Sequence, residues 1–453
     1  MFSGIILDEN KNTNYPSAMP SIHEFVYDFF VTSFEPVSLF KRLRDSTMKK
    51  TLFALLFAPL MSLAQAPVTG LWRASLATHG GELPIQFEVN PGSKSANLDI
   101  KLVNGAEKST LGESYFRADS LVVPFDLYEA ELVFLVTKAT EMKGYFVKKR
   151  NGKTAYRLPV SALAGPADRF LNLQPATVNV SGKWMADFFS DATNHSPGVG
   201  VFEQKGNQVT GTFLRTSGDY RFLQGNVSGD SLFLSYFDGS GINMLRARVK
   251  GTQLTGRFTS GLSGVRTVEA KFDPAAALPD FKKLSFLKPG FDRIDFTLPT
   301  TSGEQISLQG ERYKNKVIVI ELMGSWCPNC LDESRYLAPF YTKYKDKGVE
   351  VIGIAFENSA DITVSGPKIN NFQKKIGISY PLLFAGTAED KTIEKVLPML
   401  SKMNGYPTTF IIDKKGIVRE IHTGFSGPGT GKYYADWISD FEHTIQSLLA
   451  EKQ

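Results

Sequence analysis

The sequence predicts a multidomain protein in which an all-β region of two repeated modules precedes a three-layer α/β/α domain. From Val68 to about Pro274, short stretches of alternating apolar residues are separated by Gly, Asn and Asp, which is typical of strands joined by tight turns. Beyond residue 290, continuous apolar runs alternate with stretches of helical periodicity. These runs indicate buried strands covered by helices.

Length and composition agree with several packed domains. The chain has 453 residues, 42% of them hydrophobic, with 34 Phe and 16 Tyr. A chain of this length divides into domains of about 100 to 200 residues each. The net charge is +5, from 51 basic and 46 acidic residues, and we find no long run of Lys and Arg. Nucleic acid is therefore not an expected partner.

The first hundred residues contain a pattern typical of a secretory signal peptide. Lys49 and Lys50 precede an apolar run that ends at Leu63, and Ala64-Gln65-Ala66 follows. We predict a signal peptide at residues 48–66, preceded by a non-native upstream extension at residues 1–47. The alternative is a membrane anchor, but about 13 apolar residues fall short of the roughly 20 needed to span a bilayer. The prediction is export to the periplasm or cell envelope, with no stable membrane span after cleavage.

The all-β region contains an internal repeat. The segment GLWRASL at Gly70 recurs 112 residues later as GKWMADF, and EMKGYF at Glu141 recurs at the same displacement as QLTGRF. Self-similarity at a fixed displacement indicates a duplicated structural unit. We therefore predict two β-rich modules, at residues 67–172 and 178–274.

The Gly-x-Trp opening of each module is similar to that of lipocalin-type barrels, which would imply a ligand pocket. The more ordinary interpretation is that each Trp fills a core. What the modules bind stays open.

A linker rich in Pro, Ala and Lys is predicted at residues 275–290, followed by the α/β/α domain at residues 291–453. The sequence pattern of the α/β/α domain predicts, in order, a strand, a helix, a strand, a helix, a hairpin and a closing helix. The segments that carry this pattern are residues 316–323, 331–344, 349–356, 368–376, 408–424 and 433–449.

Both cysteines of the chain, Cys327 and Cys330, lie in the stretch GSWCPNC. Exported domains normally scatter cysteines as stabilising disulfides, so a single close pair indicates chemistry instead. A zinc site needs three or four protein ligands, and none of the five histidines forms a closely spaced pair with another. A purely structural disulfide across so short a loop would remove little unfolded-state entropy. No metal and no cofactor are therefore expected.

Redox chemistry fits the position of the pair. Cys327 lies where a strand ends and a helix begins, and the free N–H groups of a helix start stabilise a thiolate. We expect Cys327 to be the nucleophile. Cys330, one helical turn later, would attack the mixed disulfide, release the substrate and close the Cys327–Cys330 disulfide.

The C-terminal region resembles the thioredoxin superfamily. The resemblance rests on W-C-P-N-C after a buried strand, on YPTTFIID starting at Tyr406, and on the closing hairpin and helix. It implies a cis-proline at Pro407, facing the sulfurs, and a backbone at Tyr406 that pairs with an extended substrate. The preceding segment, FTLPTTSGEQISLQGERYKNKVIVI, is similar to the lead-in of the TlpA/ResA branch and of peroxiredoxins, except that Asn315 replaces a common Gly.

Membership of the TlpA/ResA branch would imply reduction of disulfides on exported proteins, including cytochrome maturation factors. The implied reductant is a membrane thiol-disulfide electron carrier. The Pro328-Asn329 dipeptide should tune the redox potential, because residues between the cysteines affect thiolate stability, and Pro328 is also expected to contact the substrate. Whether the protein acts as reductase or oxidase stays open.

Two carboxylates and one tryptophan complete the candidate site. Glu321 interrupts the apolar strand at the position of the buried acid of thioredoxin, and Glu333 matches the active-site glutamate of the ResA-like branch. Either could accept a proton from Cys330, although Glu333 could also be a solvated helix residue. Trp326 is expected to shield the site and to offer an apolar docking surface, with core packing as the alternative.

Two other functions are weighed. A peroxiredoxin-like thiol peroxidase would need the pattern P-x-x-x-T-x-x-C. Ile320 and Gly324 stand where the Pro and Thr of this pattern would precede Cys327, and Met323 and Cys327 stand there before Cys330. The other alternative is an envelope protein that binds a ligand or partner through its β-modules, with an accessory thioredoxin-like domain.

Overall fold

The computed structural model describes residues 66–93 and 97–452, which belong to one compact unit. Apart from Ala66, the predicted upstream extension and signal peptide lie outside these residues. Within the described ranges, no helix has both the length and the apolar character needed to cross a membrane.

The first β-module is an open, antiparallel sheet of nine strands, in the order β4-β3-β2-β1-β9-β8-β7-β6-β5. Consecutive strands are neighbours except β4 and β5, which lie at opposite edges, and the two halves of the sheet are joined where β9 pairs with β1. In chain order, the strands are Gly70–Thr78, Gly81–Pro91, Leu98–Asn104, Glu107–Thr110, Tyr115–Arg117, Ser120–Phe125, Ala130–Lys138, Glu141–Arg150 and Lys153–Ala164.

The second β-module is a closed barrel, because β11 pairs with β12 as well as with β10. The short strand β13 lies outside the ring, beside β12. Strands β10 to β18 are Gly182–Phe189, His195–Lys205, Gln208–Arg215, Gly218–Asp219, Leu223–Ser228, Ser231–Phe237, Ile242–Lys250, Gln253–Ser260 and Gly264–Phe272.

The two modules share a detail that identifies them as repeats. The indole N–H of Trp72 donates to the carbonyl of Val68 at 2.9 Å, and the indole N–H of Trp184 donates to Val180 at the same distance. Both tryptophans are buried in the cores of their modules. The predicted pair of repeated β-modules is confirmed, and the tryptophans fill cores.

Aromatic rings fill the barrel of the second module. Phe188 packs edge-to-face on Phe213 and on Phe258, with ring centroids 5.0 and 5.4 Å apart. All three rings are fully buried. The interior is therefore a packed core made of the module's own side chains.

The C-terminal domain has a two-stranded hairpin and a five-stranded sheet of order β23-β22-β21-β24-β25, in which β24 is antiparallel to β21. Strands β19 to β25 are Thr297–Pro299, Gln305–Ser307, Val317–Met323, Val349–Glu357, Leu382–Thr387, Thr408–Ile412 and Val418–Thr423. Helices α1 to α4 are Pro328–Tyr344, Ile362–Ile376, Asp390–Val396 and Lys432–Ala450.

Alternation along β21 divides the core of this domain in two. Ile318, Ile320 and Leu322 face a cluster that contains Ile393 of α3. Val317, Val319 and Met323 face the cluster formed with α1, α2 and α4. The three-layer prediction is confirmed, although the sequence pattern missed α3, whose seven residues bury a single side chain, that of Ile393. Glu321 lies on the same face of β21 as Val319 and Met323, so its side chain points toward α1.

The predicted linker packs against the C-terminal domain. Lys282 forms an ion pair with Glu420 of β25 at 2.9 Å, and the ring of Phe281 stacks on His422 with centroids 5.5 Å apart. The segment is therefore held to the sheet edge by specific contacts.

Candidate active site at the start of helix α1

The turn after β21 brings the two cysteines together. Cys327 is the N-cap of α1, Pro328 is in its first turn, and the Cys327 sulfur accepts a hydrogen bond from the backbone N–H of Cys330 at 3.3 Å. A helix start has N–H groups without intrahelical partners and a positive end of its dipole. A negative charge on the Cys327 sulfur is stabilised by both.

Both sulfurs are enclosed, since Cys327 is 5% exposed and Cys330 is fully buried. Burial raises the pKa of Cys330 well above that of a free thiol, and its hydrogen bond to Cys327 raises it further. Cys330 therefore keeps its proton until a neighbouring base removes it.

The wall opposite the sulfurs is formed by the loop before β24. The Tyr406–Pro407 peptide bond is cis, and the carbonyl oxygen of Tyr406 lies 3.8 Å from the Cys327 sulfur. The half-buried Trp326 donates its indole N–H to Phe356 at 3.0 Å, and its ring meets that of Tyr406 edge-to-face. Trp326 and Tyr406 thus flank the nucleophile.

Glu321 is a buried acid on the face of β21 that looks toward α1. Its side chain is fully buried, and the hydroxyl of Ser334 in α1 lies 2.8 and 3.0 Å from its two carboxylate oxygens. Burial raises the pKa of Glu321 well above its ordinary value, and the charge of Glu333 raises it further.

Glu333 is also fully buried, so the alternative of a solvated helix residue is wrong. The hydroxyl of Thr409 donates to its Oε1 at 2.8 Å, whereas its Oε2 is buried without a hydrogen-bond partner. Burial raises the pKa of Glu333 to about 8, and the bond from Thr409 opposes that rise. Two acids with raised pKa values thus lie on β21 and α1 next to the cysteine pair.

The sequence analysis missed Glu357, which fixes the turn before the cysteines. Its buried carboxylate accepts hydrogen bonds from the backbone N–H and the hydroxyl of Ser325, at 2.8 and 2.9 Å. Burial raises the pKa of Glu357. A single acid after an apolar run is a weak signal, because the same pattern ends many strands.

The β-modules also contribute to the site, which the sequence analysis did not foresee. A Cβ at Gly218 of the second module would lie 1.8 Å from the side-chain nitrogen of Asn329, and a Cβ at Gly405 would lie 2.7 Å from the Cβ of Ser217. The loop that begins at Ser217 therefore lies directly on the residue pair between the cysteines and on the cis-proline loop. Leu127 of the first module packs against the cluster that contains both cysteines.

A cleft of about 920 Å³ opens beside Trp326, between the first module and the C-terminal domain. It is lined on one side by Tyr128 and Lys148 and on the other by Glu357 and Lys368. The ion pair of Glu129 with Lys368, at 3.0 Å, crosses from one side to the other.

Among the described residues, no cluster of three or more His, Cys, Asp or Glu side chains could hold a metal ion.

The fold and the site define a thioredoxin-like protein with a dithiol centre, and comparison with known proteins agrees. Residues 289–421 match the model of the AhpC/TSA family. Thiol-disulfide oxidoreductase ResA of Bacillus cereus (strain ATCC 10987 / NRS 248) is 30% identical over 142 residues, which are 31% of this chain and 73% of ResA. Thioredoxin-like protein YneN of Bacillus subtilis (strain 168) is 29% identical over 143 residues, 32% of this chain and 76% of YneN.

Among solved structures, a thiol:disulfide interchange protein of the thioredoxin family from Chlorobium tepidum TLS is 22% identical, with a TM-score of 0.28. The match covers 39% of this chain and all of that protein. The relationship to ResA decides the family: this chain belongs to the ResA-like thiol-disulfide oxidoreductases, and it is an enzyme of that class.

Proposed function

We propose that the protein is exported and reduces disulfides of envelope proteins through a dithiol cycle of Cys327 and Cys330. The observation that carries the proposal is the hydrogen bond from the Cys330 N–H to the Cys327 sulfur at a helix start, with the Cys330 thiol buried behind it. The Cys327 sulfur can thereby attack a substrate disulfide, and the Cys330 sulfur stays protonated until the mixed disulfide forms.

The first step is attack of the Cys327 thiolate on a substrate disulfide. The substrate S–S bond breaks, a mixed disulfide forms, and the first substrate sulfur leaves as a thiolate that takes up a proton. In the second step, Cys330 loses its proton and attacks the Cys327 sulfur. The second substrate sulfur leaves, and two electrons have passed from the enzyme to the substrate as the Cys327–Cys330 disulfide closes.

The buried acids give the second step a proton acceptor. Burial and, to a smaller extent, the charge of Glu321 raise the pKa of Cys330, so its thiol needs a base close by. A carboxyl whose pKa is about 8, as for Glu333, exchanges protons readily at neutral pH. We assign to the pair Glu321 and Glu333 the transfer of the Cys330 proton toward the leaving thiolate.

Regeneration needs an external dithiol, for which a membrane thiol-disulfide electron carrier is the proposed source. Export rests on the signal-peptide pattern at residues 48–66. The substrates are proposed to be exported proteins that carry disulfides. Ile320 and Gly324 offer no hydroxyl to bind a peroxide near Cys327, which favours disulfide exchange over peroxide reduction.

The test is the reduction potential of the purified full-length chain in dithiothreitol or glutathione buffers, with Cys327→Ser as the control. A value near that of thioredoxin, about −270 mV, supports a reductase. A value near about −120 mV, as for a strong oxidant, reverses the proposed direction. If no reversible couple is found, the dithiol cycle is wrong.

A further inference from the structure

One arginine of the second β-module reaches the residues between the two cysteines. Arg221 follows strand β13, is 4% exposed and has a positive φ of 56°. Its guanidinium donates to the carbonyl oxygen of Pro328 at 3.3 Å and to the carboxylate of Asp332 at 2.9 Å. Pro328 directly follows Cys327, and Asp332 lies in the second turn of α1. A cation from another module is thus fixed at the start of the redox helix.

The guanidinium is surrounded by acids from three parts of the chain. Besides Asp332, it contacts Glu107 of the first module at 2.9 Å and Asp238 of the second module at 3.9 Å. Burial lowers the pKa of Arg221, but these carboxylates outweigh it and leave the pKa raised. Burial also raises the pKa of Asp332 to about 7, against the opposing effect of Arg221. Arg221 is therefore charged throughout the physiological range.

The backbone around Arg221 is tied to the C-terminal domain. The carboxylate of Asp219 accepts the N–H of Arg221 through one oxygen and the N–H of Gly427, at 2.7 Å, through the other. A Cβ added at Gly429 would lie 2.9 Å from the backbone carbonyl carbon of Arg221, so these two segments of the chain lie directly against each other. The arginine cannot withdraw without breaking this contact.

The electrostatic consequence differs between the two redox states. The oxidised pair is an uncharged disulfide, whereas the reduced pair can carry a thiolate on Cys327, one residue from the carbonyl that Arg221 holds. A fixed cation stabilises the charged state and leaves the neutral one unaffected. The negative charge of Asp332 has the opposite effect and destabilises a thiolate on Cys327.

We propose that Arg221 is a positioning residue of the redox site: it holds the Pro328 carbonyl and the Asp332 carboxylate, and its charge favours the reduced form of the Cys327–Cys330 pair. The second β-module is then part of the redox centre. This inference rests on the proposed dithiol cycle.

The step that Arg221 favours is reduction of the enzyme by an external dithiol. The S–S bond between Cys327 and Cys330 breaks, and two electrons arrive from the dithiol, which becomes a disulfide. Of its two protons, one goes to Cys330 and the other goes to Cys327 or to solvent, and the charge of Arg221 favours the second outcome because that outcome leaves a thiolate on Cys327.

The experiment measures the redox equilibrium of the full-length chain with dithiothreitol at pH 8 for wild type, Arg221→Gln, Arg221→Lys and Asp332→Asn. We expect Arg221→Gln to lower the equilibrium constant for reduction about tenfold, equivalent to about 30 mV. Asp332→Asn should raise it a few-fold, and Arg221→Lys, which keeps the charge, should lie between wild type and Arg221→Gln. The rate at which Cys327 is alkylated at pH 7 should fall in Arg221→Gln and rise in Asp332→Asn.

The matched control is Arg169→Gln. Arg169 is a fully buried arginine that donates to the carbonyl of Ser235 at 3.0 Å, within the β-region. Its loss should lower the thermal unfolding temperature and leave the redox equilibrium unchanged, which separates a structural role from a redox role.

The inference is wrong if Arg221→Gln stays within twofold of wild type, or if Asp332→Asn shifts the equilibrium in the same direction as Arg221→Gln. Should Arg221→Gln fail to fold, Asp332→Asn decides, because an unchanged equilibrium would contradict the electrostatic argument. A wild-type chain without a reversible couple would instead refute the dithiol cycle itself. The alkylation rates would then still test Arg221.

Discussion

The backbone nitrogen of Cys330 lies 3.3 Å from the sulfur of Cys327 and donates a hydrogen bond to it. Cys330 therefore has two functions within one helical turn. Its backbone N–H stabilises a thiolate on Cys327, and its own sulfur later attacks the Cys327 sulfur in the mixed disulfide. Cys327 keeps only 5% of its surface exposed, whereas Cys330 has none.

This arrangement predicts that Cys330→Ser traps the substrate. The variant can form the mixed disulfide at Cys327 but has no second thiol to release it. Mass spectrometry after incubation with a disulfide peptide should find one peptide attached per chain. Cys327→Ser is the control and should trap none, because the remaining thiol is buried; trapping at Cys330 instead would reverse the assigned roles.

Replacing Glu321 should slow release of the substrate more than its capture. Glu321→Gln keeps the shape of the side chain and its contact with Ser334 but removes the proton acceptor. A general base at such a step contributes about 100-fold or more, so we expect resolution of the mixed disulfide to slow by about that factor. Stopped-flow measurement of the two steps separates them. Equal slowing of both steps would argue for a structural role.

Glu333 should make the stability of the protein depend on pH. Its pKa of about 8 lies above the ordinary value of 4.5, so the folded chain binds the proton more tightly than the unfolded chain. The stabilisation is complete below pH 4.5 and is lost as the pH rises through 8. Glu333→Gln removes this dependence.

Urea unfolding of Glu333→Gln and wild type at pH 5 and pH 8 tests this prediction. Relative to wild type, we expect the free energy of unfolding of the variant to rise by about 3 kcal/mol between the two pH values. A difference that is independent of pH would mean that the carboxyl is ionised in the folded state.

Gly218 should be intolerant of a side chain because of Asn329. With a φ of +128°, an added Cβ would lie 1.8 Å from the Asn329 amide nitrogen. Gly218→Ala should therefore lower the free energy of unfolding by about 1 to 3 kcal/mol. Adding Asn329→Ala should recover part of the loss, as a double-mutant cycle would show. Gly206→Ala is the matched control, because its φ is also positive but nothing lies within 4 Å.

Much of the fold could be predicted from local patterns. The alternation of apolar residues along β1 and β10 depends on residues close together in the chain, and the repeat that contains Trp72 and Trp184 is visible when two such short segments are compared. The same holds for the uninterrupted apolar run of β21 and for the helix start at Cys327. Closure of the second barrel, by contrast, requires β18 to pair with β10, and no local pattern specifies a pairing between strands so far apart in the chain.

The candidate site divides in the same way. Cys327, Cys330 and Glu321 could be chosen from the sequence, because a close cysteine pair and an acid inside an apolar strand are visible in a few residues. The burial of Glu333 could not be predicted from the sequence. Its position on α1 is compatible with exposure to solvent or with burial in the core until Thr409 and the neighbouring strand are in place.

By itself, the sequence determined the fold class, the repeated β-modules and the cysteine pair, since each follows from the spacing of residues within one or two elements. Only the tertiary structure placed Arg221 beside Asp332, which is 111 residues away in the chain. Such a contact leaves no periodic or local signature, because its partners belong to separately folded elements. Whether a charged side chain meets water or an opposite charge is decided only when those elements pack.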